Sequence, residues 1–143
     1  MAKTITTKSE EETSAVGREL AATLSAGDVV LLYGDLGAGK TAFVRGLAEG
    51  LGVVSGEVNS PTFTLVQEYR GGRVALVHVD LYRLDDPREV DDLGLEEIGA
   101  DAVLTIEWAD RLPRPPPEAI RVRIEHVGVD DRRITVDRLM IAD

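Results

Sequence analysis

The chain has 143 residues, which suits one domain spanning residues 1–143, and 43% of them are hydrophobic, enough for a core of its own. It contains no cysteine, which excludes disulfides, zinc–thiolate centres and cysteine nucleophiles and fits a reducing compartment. A net charge of −10 and a pI near 4.6 argue against a free-standing binder of DNA or RNA; no apolar run reaches membrane-spanning length or forms a signal-peptide core, so a cytoplasmic protein without membrane contact is expected.

In chain order, the segment around Lys3 to Thr7 reads as a short strand. Ser9 followed by Glu12 is a capping-box signature, and Glu10, Glu11 and Glu12 lie where a helix dipole favours negative charge. Val16, Leu20 and Leu24 then recur every four residues on one helix face, and Ser25-Ala26-Gly27 ends that helix. Asp28-Val29-Val30-Leu31-Leu32-Tyr33 is a short apolar run of the kind a buried strand shows.

That run feeds Gly34-Asp35-Leu36-Gly37-Ala38-Gly39-Lys40-Thr41, which fits G-x-x-x-x-G-K-[ST], the phosphate-binding loop of nucleoside triphosphatases. Glycines let the backbone curl tightly and bring its N–H groups against phosphate oxygens. Lys40 would set an ammonium against the β- and γ-phosphates of a nucleoside triphosphate, and the Thr41 hydroxyl would hold Mg²⁺. Phe43, Val44, Leu47 and Leu51 follow at helical spacing, so a helix points its positive end at the same phosphates. Strand, glycine loop and helix are the context the motif demands. Asp35, Leu36, Gly37, Ala38, Gly39, Lys40, Thr41 and Ala42 are therefore the candidate nucleotide contacts.

Gly52 to Asn59 reads as a loop, followed by Ser60-Pro61-Thr62-Phe63-Thr64. Thr64 to Tyr69 alternates as a strand, Gly71-Gly72 is a hairpin turn, and Val74 to Asp80 is the returning strand, which ends in an acid. Leu81 to Gly99 is helical and acidic: Asp85-Asp86-Pro87 marks a helix start, Gly94 breaks the run, and Leu95 to Ile98 begins a second short helix. Ala102 to Trp108 is an apolar strand with a carboxylate, Glu107, at its end. Pro113 to Pro117 reads as an extended surface connector. Ile120 to Glu125 and Ile134 to Asp137 alternate with period two around a turn from Val127 to Asp131, a hairpin expected to add antiparallel strands to one sheet edge. The fold class that follows is α/β: a single P-loop NTPase domain with a mixed central sheet, flanking helices and antiparallel hairpins.

A phosphate-loop enzyme needs a further acid at a strand end beside the loop. Asp80 and Glu107 are the candidates that directly follow strongly apolar strands. One would orient the Mg²⁺ shell and the other would orient or deprotonate the attacking water; either acid suits either role. His78 reads as a sheet residue and His126 as an exposed strand end. Trp108, the single tryptophan, suits a core position and a site-wall or partner-contact role equally.

The phosphate loop, Ser60-Pro61-Thr62-Phe63-Thr64, His78-Val79-Asp80-Leu81-Tyr82-Arg83 and Glu107-Trp108-Ala109-Asp110 occur in an order and spacing that resemble the TsaE (YjeE) family of small bacterial ATPases. The resemblance covers nearly the whole chain and weakens over the N-terminal helix and the last strands. Ala42 departs from the second threonine that many members carry there. The resemblance implies a role in threonylcarbamoyl modification of adenosine 37 in tRNAs reading ANN codons. It implies binding to the TsaD–TsaB pair, with ATP hydrolysis resetting that complex and tRNA held through the partners. Carried over by motif, Lys40 and Thr41 serve phosphate and metal, and Ser60, Thr62 and Thr64 lie on a switch-like loop. Glu107 is the metal-side acid, Asp80 the water-side acid, and Trp108 travels with the site.

Other classes suit parts of the same pattern. A small kinase for a nucleoside or metabolite shares the loop, but 143 residues leave little room for a lid and an acceptor pocket. A GTPase switch lacks its N-K-x-D guanine-reading sequence here. A nucleotide-dependent adaptor that does not hydrolyse would carry the same intact loop.

Overall fold

The computed structural model describes residues 2–34, 39–53, 66–81, 88, 94–109 and 118–138. Strands β1 (Ala2–Thr7), β2 (Val29–Gly34), β3 (Val66–Tyr69), β4 (Ala75–Asp80), β5 (Ala102–Glu107), β6 (Ile120–His126) and β7 (Arg132–Arg138) alternate with helices α1 (Glu10–Ala21), α2 (Lys40–Leu51) and the single turn α3 (Leu95–Ile98). The strands form one seven-stranded sheet in the order β1-β7-β6-β2-β5-β4-β3. β2 pairs parallel with β5 and β6, and β5 pairs parallel with β4. β3 joins β4, β7 joins β6 and β1 joins β7, all antiparallel. The mixed α/β fold expected from the sequence is the one observed.

Strand alternation sorts the apolar residues onto two faces. On one face, Val30, Leu32, Leu76, Val103, Val122, Ile124 and Ile134 pack with Val16 and Ala21 of α1 and Phe43, Val44, Leu47 and Leu51 of α2. On the other, Leu31, Val77, Val79, Leu104 and Ile106 form a second cluster against which Leu95 of α3 is packed. β5 is buried along its whole length, as a central strand covered on both faces must be.

The helix ends follow local chemistry. The Ser9 side chain accepts from the Glu12 backbone N–H at 3.1 Å, and the Glu12 carboxylate accepts from the Lys8 N–H at 2.9 Å, so the capping box closes one residue before the cap. Helix α1 stops at Ala21, earlier than the Val16–Leu20–Leu24 spacing predicts. Leu24 still enters the core, at 2% exposure, but from the connection beyond the helix. α1 and α2 approach with backbone nearly touching, because glycines line the contact: a Cβ added at Gly46 would lie 1.8 Å from the Ser14 carbonyl oxygen, and one at Gly17 would lie 2.3 Å from that of Phe43.

Both hairpins form, with one correction. The C-terminal pair was expected at a sheet edge, yet β6 docks parallel on β2 and β1 closes that edge outside β7. Ile120, Val122 and Ile124 face the helix-covered core and need interior neighbours on both sides, while Arg121 and Arg123 point to the opposite, exposed face. The helix start at Asp85-Asp86-Pro87, the loop beyond Val53 and the connector Pro113 to Pro117 lie outside the described residues. Among the described residues no helix is long and apolar enough to cross a membrane.

Candidate active site at the carboxyl ends of the strands

β2, β4, β5 and β6 run parallel, so Gly34, Asp80, Glu107 and His126 mark one end of the sheet. In open α/β sheets, ligands gather in the crevice at that end. Gly34 closes β2 with φ of 143°, and a Cβ there would lie 2.3 Å from the Ile124 carbonyl oxygen, so only glycine fits. Gly39 caps α2 in the left-handed region with φ of 100°. No side chain caps this helix start and its first turn carries no acid, an arrangement suited to an anionic ligand. Among the described residues, a Cβ at Gly39 would meet Thr13 at 3.8 Å and the Arg132 guanidinium at 3.9 Å.

Lys40 opens α2 and folds back: its Nζ donates to the Gly34 carbonyl at 3.2 Å and lies 4.5 Å from the centroid of the Trp108 ring. Only 5% of the lysine is exposed. A buried ammonium needs partners, and here a backbone oxygen and an aromatic face supply them. Trp108 follows β5 directly with φ of 59°, the only positive φ among the described non-glycine residues. For a bulky side chain this conformation costs on the order of 1–3 kcal/mol. The ring packs partly against the second core cluster and presents its face to Lys40.

Asp80 and Glu107 are register partners across the parallel β4–β5 pair. With His78 and Thr105 they share the sheet face of Leu76 and Val103, the face covered by α1 and α2. Asp80 is half-buried and Glu107 buried. His78, expected only as a sheet residue, sits on β4 as such and also bonds Glu107: its Nε2 lies 2.6 Å from Glu107 Oε2. With the carboxylate ionised, Nε2 carries the proton and donates. Arg132, about ninety residues from the loop in sequence, arrives beside Gly39 because β7 pairs with β1 in the register Thr7↔Arg132. Sequence reading missed both contacts. For His78 a signal existed, its two-residue spacing from Asp80 on one strand face; for Arg132 there was none. Thr41 and Ala42 lie on the first turn of α2, Thr41 half-buried and Ala42 buried. Asp35, Leu36, Gly37, Ala38, Ser60, Thr62 and Thr64 lie outside the described residues.

The chain as a whole has known relatives. A family model described as "Threonylcarbamoyl adenosine biosynthesis protein TsaE" matches residues 7–134. The chain belongs to the TsaE family. A tRNA threonylcarbamoyladenosine biosynthesis protein TsaE from Bacillus subtilis (strain 168) is 46% identical over 131 residues, covering 90% of this chain and 81% of that relative. The TsaE protein of Nostoc sp. (strain PCC 7120) is 47% identical over 133 residues, covering 89% and 80%. Among solved structures, Bacillus subtilis YdiB superposes with a TM-score of 0.78 at 36% identity, covering 98% of this chain and 87% of that one. The TsaE assignment places the chain in threonylcarbamoyladenosine biosynthesis on tRNA and agrees with the resemblance seen in the sequence.

Proposed function

We propose that this TsaE protein is an Mg²⁺-dependent ATPase whose nucleotide state controls its engagement with a TsaD–TsaB pair during threonylcarbamoyl modification of adenosine 37. The observation that carries the reading is the convergence at one sheet end of Lys40 at a helix start with the register-paired acids Asp80 and Glu107. Lys40 supplies a positive charge for the β- and γ-phosphates, and the backbone N–H groups of the α2 start add oriented dipoles. Thr41 and Glu107 would hold Mg²⁺: a hydroxyl and a carboxylate are the hard oxygen donors that cation takes. When bound, the ion neutralises charge building on the phosphate oxygens. Asp80 orients the attacking water and accepts its proton. Glu107 is buried, which shields its carboxylate from bulk water and strengthens the electrostatic contacts it makes.

The acidity of the chain supports tRNA being held by partners instead of by this protein, since a net charge of −10 repels a phosphate backbone. The test is phosphate release from ATP and Mg²⁺, alone and with purified TsaD–TsaB. Strong stimulation together with a nucleotide-dependent complex is expected. Neither stimulation nor complex formation would overturn the partner-coupled reading.

A further inference from the structure

We propose that His78 is a positioning residue that fixes the Glu107 carboxylate in the orientation from which it serves nucleotide-bound Mg²⁺; this rests on the nucleotide-site reading above. His78 is fully buried and the Glu107 side chain is 5% exposed, with 2.6 Å between Nε2 and Oε2. The parallel register pairs His78 with Thr105 and Asp80 with Glu107, so the imidazole lies one alternation step deeper in the sheet than the two acids and on their face. From there it reaches diagonally to the carboxylate at the neighbouring strand end. The ring takes Oε2, which leaves Oε1 for a ligand.

The other ring nitrogen argues that this contact is what the histidine is for. Nδ1 is buried and has no hydrogen-bond partner among the described residues, so Glu107 is the polar group to which the ring is tied. A buried polar ring with one nitrogen unpartnered among the described residues is a costly occupant of the sheet face that it shares with Leu76 and Val103, where an apolar residue would pack without that cost. What an apolar residue could not do is hold the carboxylate. Groups that hydrogen-bond a metal-binding carboxylate fix its direction, and losing them typically lowers metal affinity 10–100-fold.

The test compares His78→Gln with His78→Asn in the full-length chain. The glutamine amide extends about as far as Nε2, whereas the asparagine amide ends near Nδ1 and falls short of Glu107. ATP affinity is measured by titration calorimetry in EDTA and again with Mg²⁺, and circular dichroism checks the fold. In His78→Asn the Mg²⁺-dependent gain in affinity is expected to fall about tenfold or more, with metal-free affinity within about twofold of the parent. His78→Gln is expected to keep most of the gain. In a Glu107→Ala background, His78→Asn is expected to change the gain no further. A gain that survives His78→Asn, that is lost equally in His78→Gln, or that still responds to His78→Asn without Glu107 overturns the proposal. If His78→Asn does not fold, His78→Leu replaces it under the same criteria. A parent protein that binds ATP with no Mg²⁺-dependent gain fails earlier, at the nucleotide-site reading itself.

Discussion

The ammonium of Lys40 rests on the face of Trp108, 4.5 Å from the ring centroid, although one residue opens α2 and the other follows β5. The contact contributes roughly 0.5–2 kcal/mol, because the ammonium is largely shielded from water. A polyphosphate offers charge-assisted bonds that a ring face cannot match. Nucleotide binding is therefore expected to draw Nζ off the indole. Trp108 is the single tryptophan, so tryptophan emission comes from this ring alone. Saturating ATP should change the emission of the parent chain and leave that of Lys40→Ala unchanged, since that variant is also expected to lose productive nucleotide binding. Identical parent spectra with and without nucleotide, at concentrations shown to bind, would mean that the ammonium stays on the ring.

Asp80 and Glu107 face the same side in register, yet their burial differs, and that difference separates their expected phenotypes. Glu107, buried and bonded to His78, suits a fixed metal-side donor. Glu107→Ala should reduce Mg²⁺-dependent turnover more than metal-free nucleotide binding. Asp80→Asn keeps the shape and removes the base, so turnover should fall by roughly 10²–10⁴ while Mg²⁺–ATP affinity stays near the parent value. Steady-state phosphate release set beside calorimetric affinity separates the two. Equal loss of binding and turnover in Glu107→Ala would assign that residue a structural role.

The parts of this site legible in the sequence are the ones that local chemistry writes. Gly34, Gly39, Lys40 and the strand and helix that hold them follow from a contiguous motif. Asp80 and Glu107 stood out because each ends an apolar run. What stayed hidden depends on pairing between distant segments. Nothing in β4 or β5 alone states that their register sets Asp80 beside Glu107 and brings His78 within reach of the carboxylate. The alternation of β6 predicted a strand, but its insertion between β2 and β7 is a choice among sheet partners that its own residues do not encode. Leu24 misled in another way: it is a core residue at helical spacing from Val16, but a connection carries it there, not α1.

Arg73 ties the β3–β4 hairpin to the end of α1. Its guanidinium donates to the carbonyls of Ala21 and Leu24, each at 2.9 Å, and is a second donor to the Ala21 oxygen, which also accepts from the Leu24 N–H at 3.1 Å. Arg73→Ala is expected to cost about 1–2 kcal/mol, the low end for bonds from a charged donor because the arginine lies at the surface. Arg73→Lys should recover little of this, since a single ammonium cannot reproduce the planar fork across two carbonyls. Urea unfolding midpoints test both variants. A lysine variant as stable as the parent would reduce the interaction to charge alone.

Helix α2 carries Lys40 and Thr41, the end of the nucleotide loop, and its close approach to α1 should be sensitive to a single methyl group. Gly46→Ala places two effects in opposition. Alanine in a helix interior gains about 1 kcal/mol over glycine. The added Cβ, however, would lie 1.8 Å from the Ser14 carbonyl oxygen and 2.9 Å from its Cα, and these are backbone atoms that no rotamer change can move aside. Overpacking of this kind costs about 1–3 kcal/mol, more when backbone must shift. The clash is expected to win, with a net loss of roughly 2 kcal/mol. Gly128→Ala is the control: it lies in the exposed β6–β7 turn, where a new Cβ would meet nothing closer than Asp131 at 3.8 Å, and its unfolding midpoint should stay near the parent. A Gly46→Ala protein as stable as Gly128→Ala would mean that α1 can move away from α2 without loss, and that the tight packing is not what holds the loop-bearing helix in place.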